Sequence, residues 1–152
     1  MRFIPSLTVF AISATILAFQ LPAQADMSAK VVSIGDGDTL TVQQRNRKVT
    51  IRLACVDAPE RAQTPWGTES TAKLKGLLPI GQQVRVREVE KDKYGRTVGE
   101  VFVGNRSINL TLVQMGAAVV YRQYLKGCAG NENQYLTAEQ QARAQSDGLF
   151  YV

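Results

Sequence analysis

Five short β-branched runs, spaced by glycine, aspartate and polar turns, lie between Lys30 and Val103, and a single helical stretch interrupts them after the third. Lys30–Ile34 runs into the turn Gly35-Asp36-Gly37, and Thr39–Gln43 into a polar hairpin tip, Arg45-Asn46-Arg47-Lys48. Val49–Cys55 is the third run and ends in Asp57-Ala58-Pro59-Glu60. A loop holding Pro65 covers 61–67, and Glu69–Leu78 then has a helical pattern that Pro79 and Gly81 stop. Val84–Val89 and Val98–Val103 are joined through 91–95. After Gly104-Asn105 come a short helix at Ile108–Met115 stopped by Gly116, an extended piece at Ala117–Tyr121, a loop at 127–131, and a helix from an Asn131 cap to about Gln145. The pattern predicts an α+β domain. Small closed barrels of the OB type share this strand count and inserted helix, as do other five-stranded domains.

At 152 residues the chain suits one domain with a modest core. Residues 1–25 stand apart from it. Met1-Arg2 gives a positive start, Ile4 to Leu21 is almost wholly apolar, and Ala23-Gln24-Ala25 has the small-x-small form of a cleavage site. The alternative is a membrane anchor, but the run is shorter than the roughly 20 residues of a spanning helix, and Pro22 follows at once. The expectation is a signal peptide over 1–25, a mature domain over 26–152, export to the periplasm or the medium, and no stable membrane association after processing.

Of 18 basic residues only Arg2 lies in the leader, so 17 remain against 13 acidic ones, a net charge of +4. That excess permits a polyanionic partner without requiring one. Histidine is absent. A Ser-His-Asp or Cys-His site and any imidazole zinc site are therefore excluded, and two cysteines cannot close a thiolate zinc site. Hydrolysis by this chain would rest on carboxylates, arginines, lysines and a metal that takes oxygen ligands.

Three clusters carry such groups. Asp36-Gly37-Asp38-Thr39 puts two carboxylates at the mouth of a strand, although the same residues make an ordinary Asp-Gly turn. An EF-hand is excluded, because counting from Asp36 the fifth position is Leu40 and the twelfth Arg47. In Arg52-Leu53-Ala54-Cys55-Val56-Asp57-Ala58-Pro59-Glu60, an arginine in an apolar strand asks for a partner. A strand-end ion pair would satisfy that need without function. Strict alternation sends Arg52 and Asp57 to opposite faces, so one site containing both requires the strand to bulge or end between them. Asp92-Lys93-Tyr94-Gly95-Arg96 reads either as a polar turn or as a nucleotide clamp, with a bidentate arginine, a point charge and a flat ring for a base.

Taken in order and at their separations, the three clusters resemble the thermonuclease (staphylococcal nuclease-like) family. The likeness covers nearly all of 28–152, including the helix Asn109–Gly116 with Tyr121 and Tyr124 behind it, and the helix through Glu139-Gln140-Gln141-Ala142. It implies a five-stranded OB-fold barrel with three helices, and a calcium-dependent endonuclease acting on DNA and RNA with little sequence specificity. Asp38 and Asp57 would hold Ca2+ with the main-chain carbonyl of Ala58. Arg52 and Arg96 would bind the scissile phosphate, and Glu60 would orient or deprotonate water. Lys93, Tyr94 and Tyr124 would contact the nucleotide. The products would carry 3′-phosphates, single-stranded regions would be favoured, and the protein would act as a monomer. Residue 58 departs from the family founder's threonine, and the loop after Glu60 looks shorter. A non-catalytic OB module is the competing reading, but it does not account for all five of Asp38, Arg52, Asp57, Glu60 and Arg96.

Cys55 and Cys128 are the only cysteines, and an oxidising compartment permits a disulfide between them. The family's barrel brings the start of the last helix near the end of the third strand, which favours the bond. Two separate thiols, with Cys55 a small core residue, remain the alternative.

Overall fold

Alternation in the strands decides the architecture. In a computed structural model that describes residues 26–150, the strand β1 (Met27–Ile34) pairs antiparallel with β2 (Thr39–Gln44), and β2 with β3 (Arg47–Leu53). The leader expected over 1–25 lies outside the described residues, as do 151–152. A two-residue strand, β4 (Val56–Asp57), follows β3, and the helix α1 (Trp66–Leu77) separates it from β5 (Gln83–Lys91) and β6 (Thr97–Val103). β5 pairs antiparallel with both β1 and β6, and β6 runs parallel to β3, with Ile51 opposite Thr97 and Arg52 opposite Val98. That last pairing closes β1, β2, β3, β5 and β6 into a five-stranded barrel of the OB type.

Closing so few strands demands bending. Register shifts at Val31/Ser33 on β1 and at Glu88/Glu90 on β5 supply it, as bulges do at barrel corners. Val31, Leu40, Val42, Ile51, Leu53, Val86 and Val101 point inward and are almost wholly buried. Leu74 and Leu78, from α1 and its C-terminal end, join the same core.

The C-terminal third packs on the outside. A short strand β7 (Arg106–Ser107) leads into α2 (Ile108–Gln114), whose first turn is capped by the Ser107 hydroxyl accepting from the Leu110 N–H at 3.2 Å. β8 (Val119–Val120) pairs with β4, a 3-10 helix follows at Arg122–Cys128, and α3 (Glu132–Ala144) lies against α2. Asn109 bolts α2 to the barrel, accepting from Val101 N–H and donating to the carbonyls of Ala54 and Gly99. Tyr135 does the same for α3, donating to Glu100 Oε1 at 2.5 Å while Arg87 donates to Oε2 of the same acid. No helix among the described residues is long and apolar enough to cross a membrane.

The five barrel strands and three α-helices match the expectation from sequence. Several boundaries differ. β1 begins at Met27 rather than Lys30, β5 spans Gln83–Lys91 rather than Val84–Val89, and β3 begins at Arg47 rather than Val49, because Arg47 and Lys48 pair with Gln44 and Gln43 and leave only Arg45 and Asn46 as the hairpin tip. The third strand ends at Leu53 rather than Cys55, because the chain reverses at Cys55, whose φ is +65°. α1 begins at Trp66, immediately after Pro65, rather than at Glu69. The stretch before the expected loop at 127–131 is the 3-10 helix, which has no apolar periodicity to announce it.

Candidate active site

The reversal at Cys55 answers the alternation problem. β3 stops at Leu53, the chain turns through Ala54 and Cys55, and β4 brings Asp57 back beside Arg52. The Arg52 guanidinium holds the turn together. Its Nη1 donates to the carbonyls of Leu53 and Val56, at 2.9 and 3.0 Å, and Nη2 donates to Asp57 Oδ1 at 2.8 Å. Nη1 also lies 3.1 Å from Asp38 Oδ2. A guanidinium has five N–H groups. Three serve these acceptors, and the other two, on Nε and Nη2, have no hydrogen-bond partner among the described residues.

Asp38 reaches the same point from the turn between β1 and β2. Its Oδ2 accepts the Ala58 N–H at 2.8 Å, its Oδ1 accepts the Thr39 hydroxyl at 3.2 Å, and Asp36 Oδ1 accepts the Asp38 N–H at 3.1 Å. Burial pushes the Asp38 carboxyl up to about 6, against the pull of Arg52 and the Ala58 N–H. Asp57, by contrast, has a side chain 55% exposed. Gly37 makes the approach possible, since a Cβ there would collide with Ser70 Oγ and Ala58 Cβ. Gly67 does the same for the following loop, where a side chain would run into the Glu60 carbonyl.

Across a cavity of about 580 Å3 from Arg52 and Asp57 stands the hairpin between β5 and β6. Asp92 shapes its tip. The Asp92 Oδ1 accepts the N–H groups of Tyr94 and Arg96, both at 2.9 Å, and Oδ2 accepts Arg96 Nε at 2.7 Å. Desolvation works to raise the Asp92 carboxyl, but these hydrogen bonds outweigh it and hold the group below its usual range. Neither Nη group of Arg96 has a hydrogen-bond partner among the described residues. Lys93 Nζ and the Arg96 guanidinium lie 5.1 and 5.5 Å from the centre of the Tyr94 ring, which is 72% exposed. Tyr121 and Tyr124 form the third wall, ring edge against ring face at 4.8 Å.

The structure therefore brings Asp38, Arg52, Asp57 and Ala58 into one bonded set, and Arg52, Asp57, Lys93, Tyr94, Arg96 and Tyr124 around one cavity. Glu60 stands apart from that lining. Its side chain is exposed, and its peptide is fixed by Gln63, whose Oε1 accepts the Glu60 N–H at 2.7 Å. Cys55 and Cys128 form a disulfide with Cα atoms 6.4 Å apart, inside the range such bonds need. The bond ties the Arg52–Asp57 turn to the 3-10 helix that carries Tyr124. Sequence reasoning gave no task to Asp92 or Tyr121. An acid four residues before an arginine in a turn, and a second tyrosine three before Tyr124, were the available signals.

A family model described as "Staphylococcal nuclease homologue" matches residues 50–151. The chain belongs to the staphylococcal nuclease family. Within it, the chain is 37% identical over 147 residues to a micrococcal nuclease of Shigella flexneri, covering 91% of this chain and 82% of that protein. An uncharacterized endonuclease of Escherichia coli O157:H7 is 38% identical over 128 residues, covering 83% and 78%. The thermonuclease of Staphylococcus hyicus is 33% identical over 100 residues, covering 61% and 59%. Family membership makes the chain a hydrolase of the nuclease type, with nucleic acid as its substrate.

The donor set suits a hard cation. Two carboxylates, one buried and one exposed, meet at the strand end without any imidazole or free thiolate. Among the described residues no group of three or more His, Cys, Asp or Glu side chains is placed to hold a metal. An ion here would accordingly complete its shell with main-chain oxygen, water or phosphate.

Proposed function

We propose that the chain is a calcium-dependent endonuclease that hydrolyses DNA and RNA with little regard to sequence and leaves 3′-phosphate ends. The observation that carries this reading is Arg52. It joins Asp38 to Asp57, keeps two N–H groups in hand, and shares a cavity with Arg96 and Tyr94. Arg52 and Arg96 bind the scissile phosphate and meet the charge that grows on it in the transition state. Glu60, exposed in the loop after Asp57, orients the attacking water and takes its proton. Lys93 adds charge beside the nucleotide, and Tyr94 and Tyr124 offer their faces to bases. Asp38, Asp57 and the Ala58 carbonyl would hold calcium, a hard Lewis acid that would polarise a phosphate oxygen when bound.

Recognition through phosphates and stacked bases favours single-stranded regions and weakens with salt. One chain supplies every residue in this account, which therefore describes a monomer. The leader motif at 1–25 and the Cys55–Cys128 disulfide together support export to an oxidising compartment.

Plasmid nicking tests the reading. The parent protein should nick with calcium and stop with chelator, and Asp38→Ala should abolish calcium-dependent cleavage while its circular dichroism stays that of the parent. Full activity of Asp38→Ala at saturating calcium would remove Asp38 from the site.

A further inference from the structure

A second cavity, of about 480 Å3, lies on the far side of Tyr94 from the first, between the β2–β3 hairpin and the β5–β6 hairpin. Lys91, Tyr94 and Arg96 line both, so Tyr94 is a ridge between two grooves rather than the wall of one. The new groove adds Arg47, Lys48, Thr50 and Gln44. Its one acid, Glu88, is taken up by Lys91 at 3.2 Å. Arg47 and Lys48 are exposed and make no ion pair among the described residues, unlike Arg52, Arg87 and Arg96.

Strand geometry gives these cations a direction. On β3, Ile51 and Leu53 face the core, so Lys48, Thr50 and Arg52 share the outer face at a period of two. Lys48 therefore stands about 13 Å from Arg52 on that face, at about 3.3 Å per residue. Arg47, one residue further on, has the parity of Ile51 and Leu53 and reaches the groove from the exposed start of the strand. A single phosphate held at Arg52 and Arg96 cannot reach them, whereas a strand of several nucleotides can. Two cations without an ion pair among the described residues, a threonine hydroxyl and a glutamine amide thus line a groove that shares Lys91, Tyr94 and Arg96 with the cleavage cavity.

We propose that this groove is a second binding subsite for nucleic acid, in which Arg47 and Lys48 hold backbone phosphates of a strand that crosses Tyr94 from the cleavage site. The proposal rests on the nuclease reading of the Arg52–Arg96 cavity. It makes the preferred substrate a chain several nucleotides long, not a dinucleotide, and gives the enzyme affinity for polymer that it lacks for its short end products.

The test is binding and turnover at two substrate lengths with the double variant Arg47→Ala/Lys48→Ala. Both positions are exposed on a hairpin, so the fold should persist, as circular dichroism would show. Fluorescence anisotropy in chelator, where nothing is cut, reads the affinity for fluorescein-labelled oligothymidylates of two and about eight nucleotides, inside the site sizes of OB folds. The variant should lose on the order of tenfold in affinity for the longer oligomer. Its salt slope should fall by about 1.4, for two contacts to a single strand. Affinity for the dinucleotide, and turnover of a nitrophenyl ester of thymidine phosphate with calcium, should not change. Equal affinity and slope for parent and variant on the longer oligomer overturn the proposal, as does an equal loss at both lengths, which is the mark of a general field. If the parent fails to turn over the ester, the cleavage reading falls, while the length-dependent binding still decides the groove.

Discussion

Arg52 and Arg87 both stand on barrel strands, and both reach a buried carboxylate, but they sit in differently finished surroundings. Arg87 donates through Nε and Nη2 to Glu100, whose other oxygen receives the Tyr135 hydroxyl. Glu100 is fully buried, and burial together with its charge pushes the Tyr135 hydroxyl well above its ordinary value, which keeps the proton available for donation. That cluster is complete. Arg52 meets two carboxylates, one of them half in solvent, and has N–H groups left over beside an open cavity. An arginine paired in a core is thus no sign of function by itself. Donors left over at a cavity wall are the better sign.

The contrast can be broken at several points. Glu100→Ala should be the most damaging change to stability, about 3 kcal/mol by urea denaturation. The low end of that scale applies because Arg87, 35% exposed, can turn to water. Activity per folded molecule should hold. Arg96→Lys keeps charge but loses the two-pronged grip, so initial rates on DNA should fall about 10²-fold, with the melting temperature near that of the parent. A rate equal to the parent's would remove the phosphate-clamp role. Tyr135→Phe takes one donor from Glu100 and should cost about 1–2 kcal/mol, again with activity kept.

The smallest effect concerns Asp38 and pH. Burial holds its folded carboxyl at about 6, above the 3.8 of an unperturbed aspartate, so the folded state binds the proton more tightly than the unfolded chain. Its contribution to metal-free stability is therefore most favourable below that lower value and declines as pH rises through about 6. Asp38→Asn should gain on the parent by a few degrees of melting temperature between acid and neutral pH in chelator. On the proposed ligand role of Asp38, calcium affinity of the parent should climb over the same interval, since a carboxylate must lose its proton to bind the ion. A constant gap between parent and variant melting curves across that range would contradict the assignment.

Much of this was legible in the sequence, and what was missed has a common cause. Inward positions of β1, β2, β3, β5 and β6 alternate with outward ones, so the strands could be read directly. β8 falls inside the extended piece expected at Ala117–Tyr121, but β4 is two residues long and exists only through its pairing with β8, Val56 with Val120 at 64 positions' separation, so no local pattern marks it. The Arg52–Asp57 contact was harder still. Alternation argued against it, and the reversal that permits it depends on a left-handed cysteine, a conformation that side-chain type does not advertise. Glu100 was overlooked although an acid within Val98–Val103 carries the same signal as Arg52 in its own strand. The partners that distinguish the two, Tyr135 and an open cavity, are visible only in three dimensions.

The disulfide has a consequence for the life of the molecule among proteases. The exposed tip at Lys93, Tyr94 and Gly95 is the kind of site where proteases first cut, and it lies between Cys55 and Cys128 in the chain. A single break there severs β5 from β6 along the backbone, but both pieces stay tethered through the sulfur bridge. Reassembly of the barrel would then be a first-order event at high effective concentration, independent of dilution. A nicked molecule would survive as one particle, and only reduction would set its halves apart.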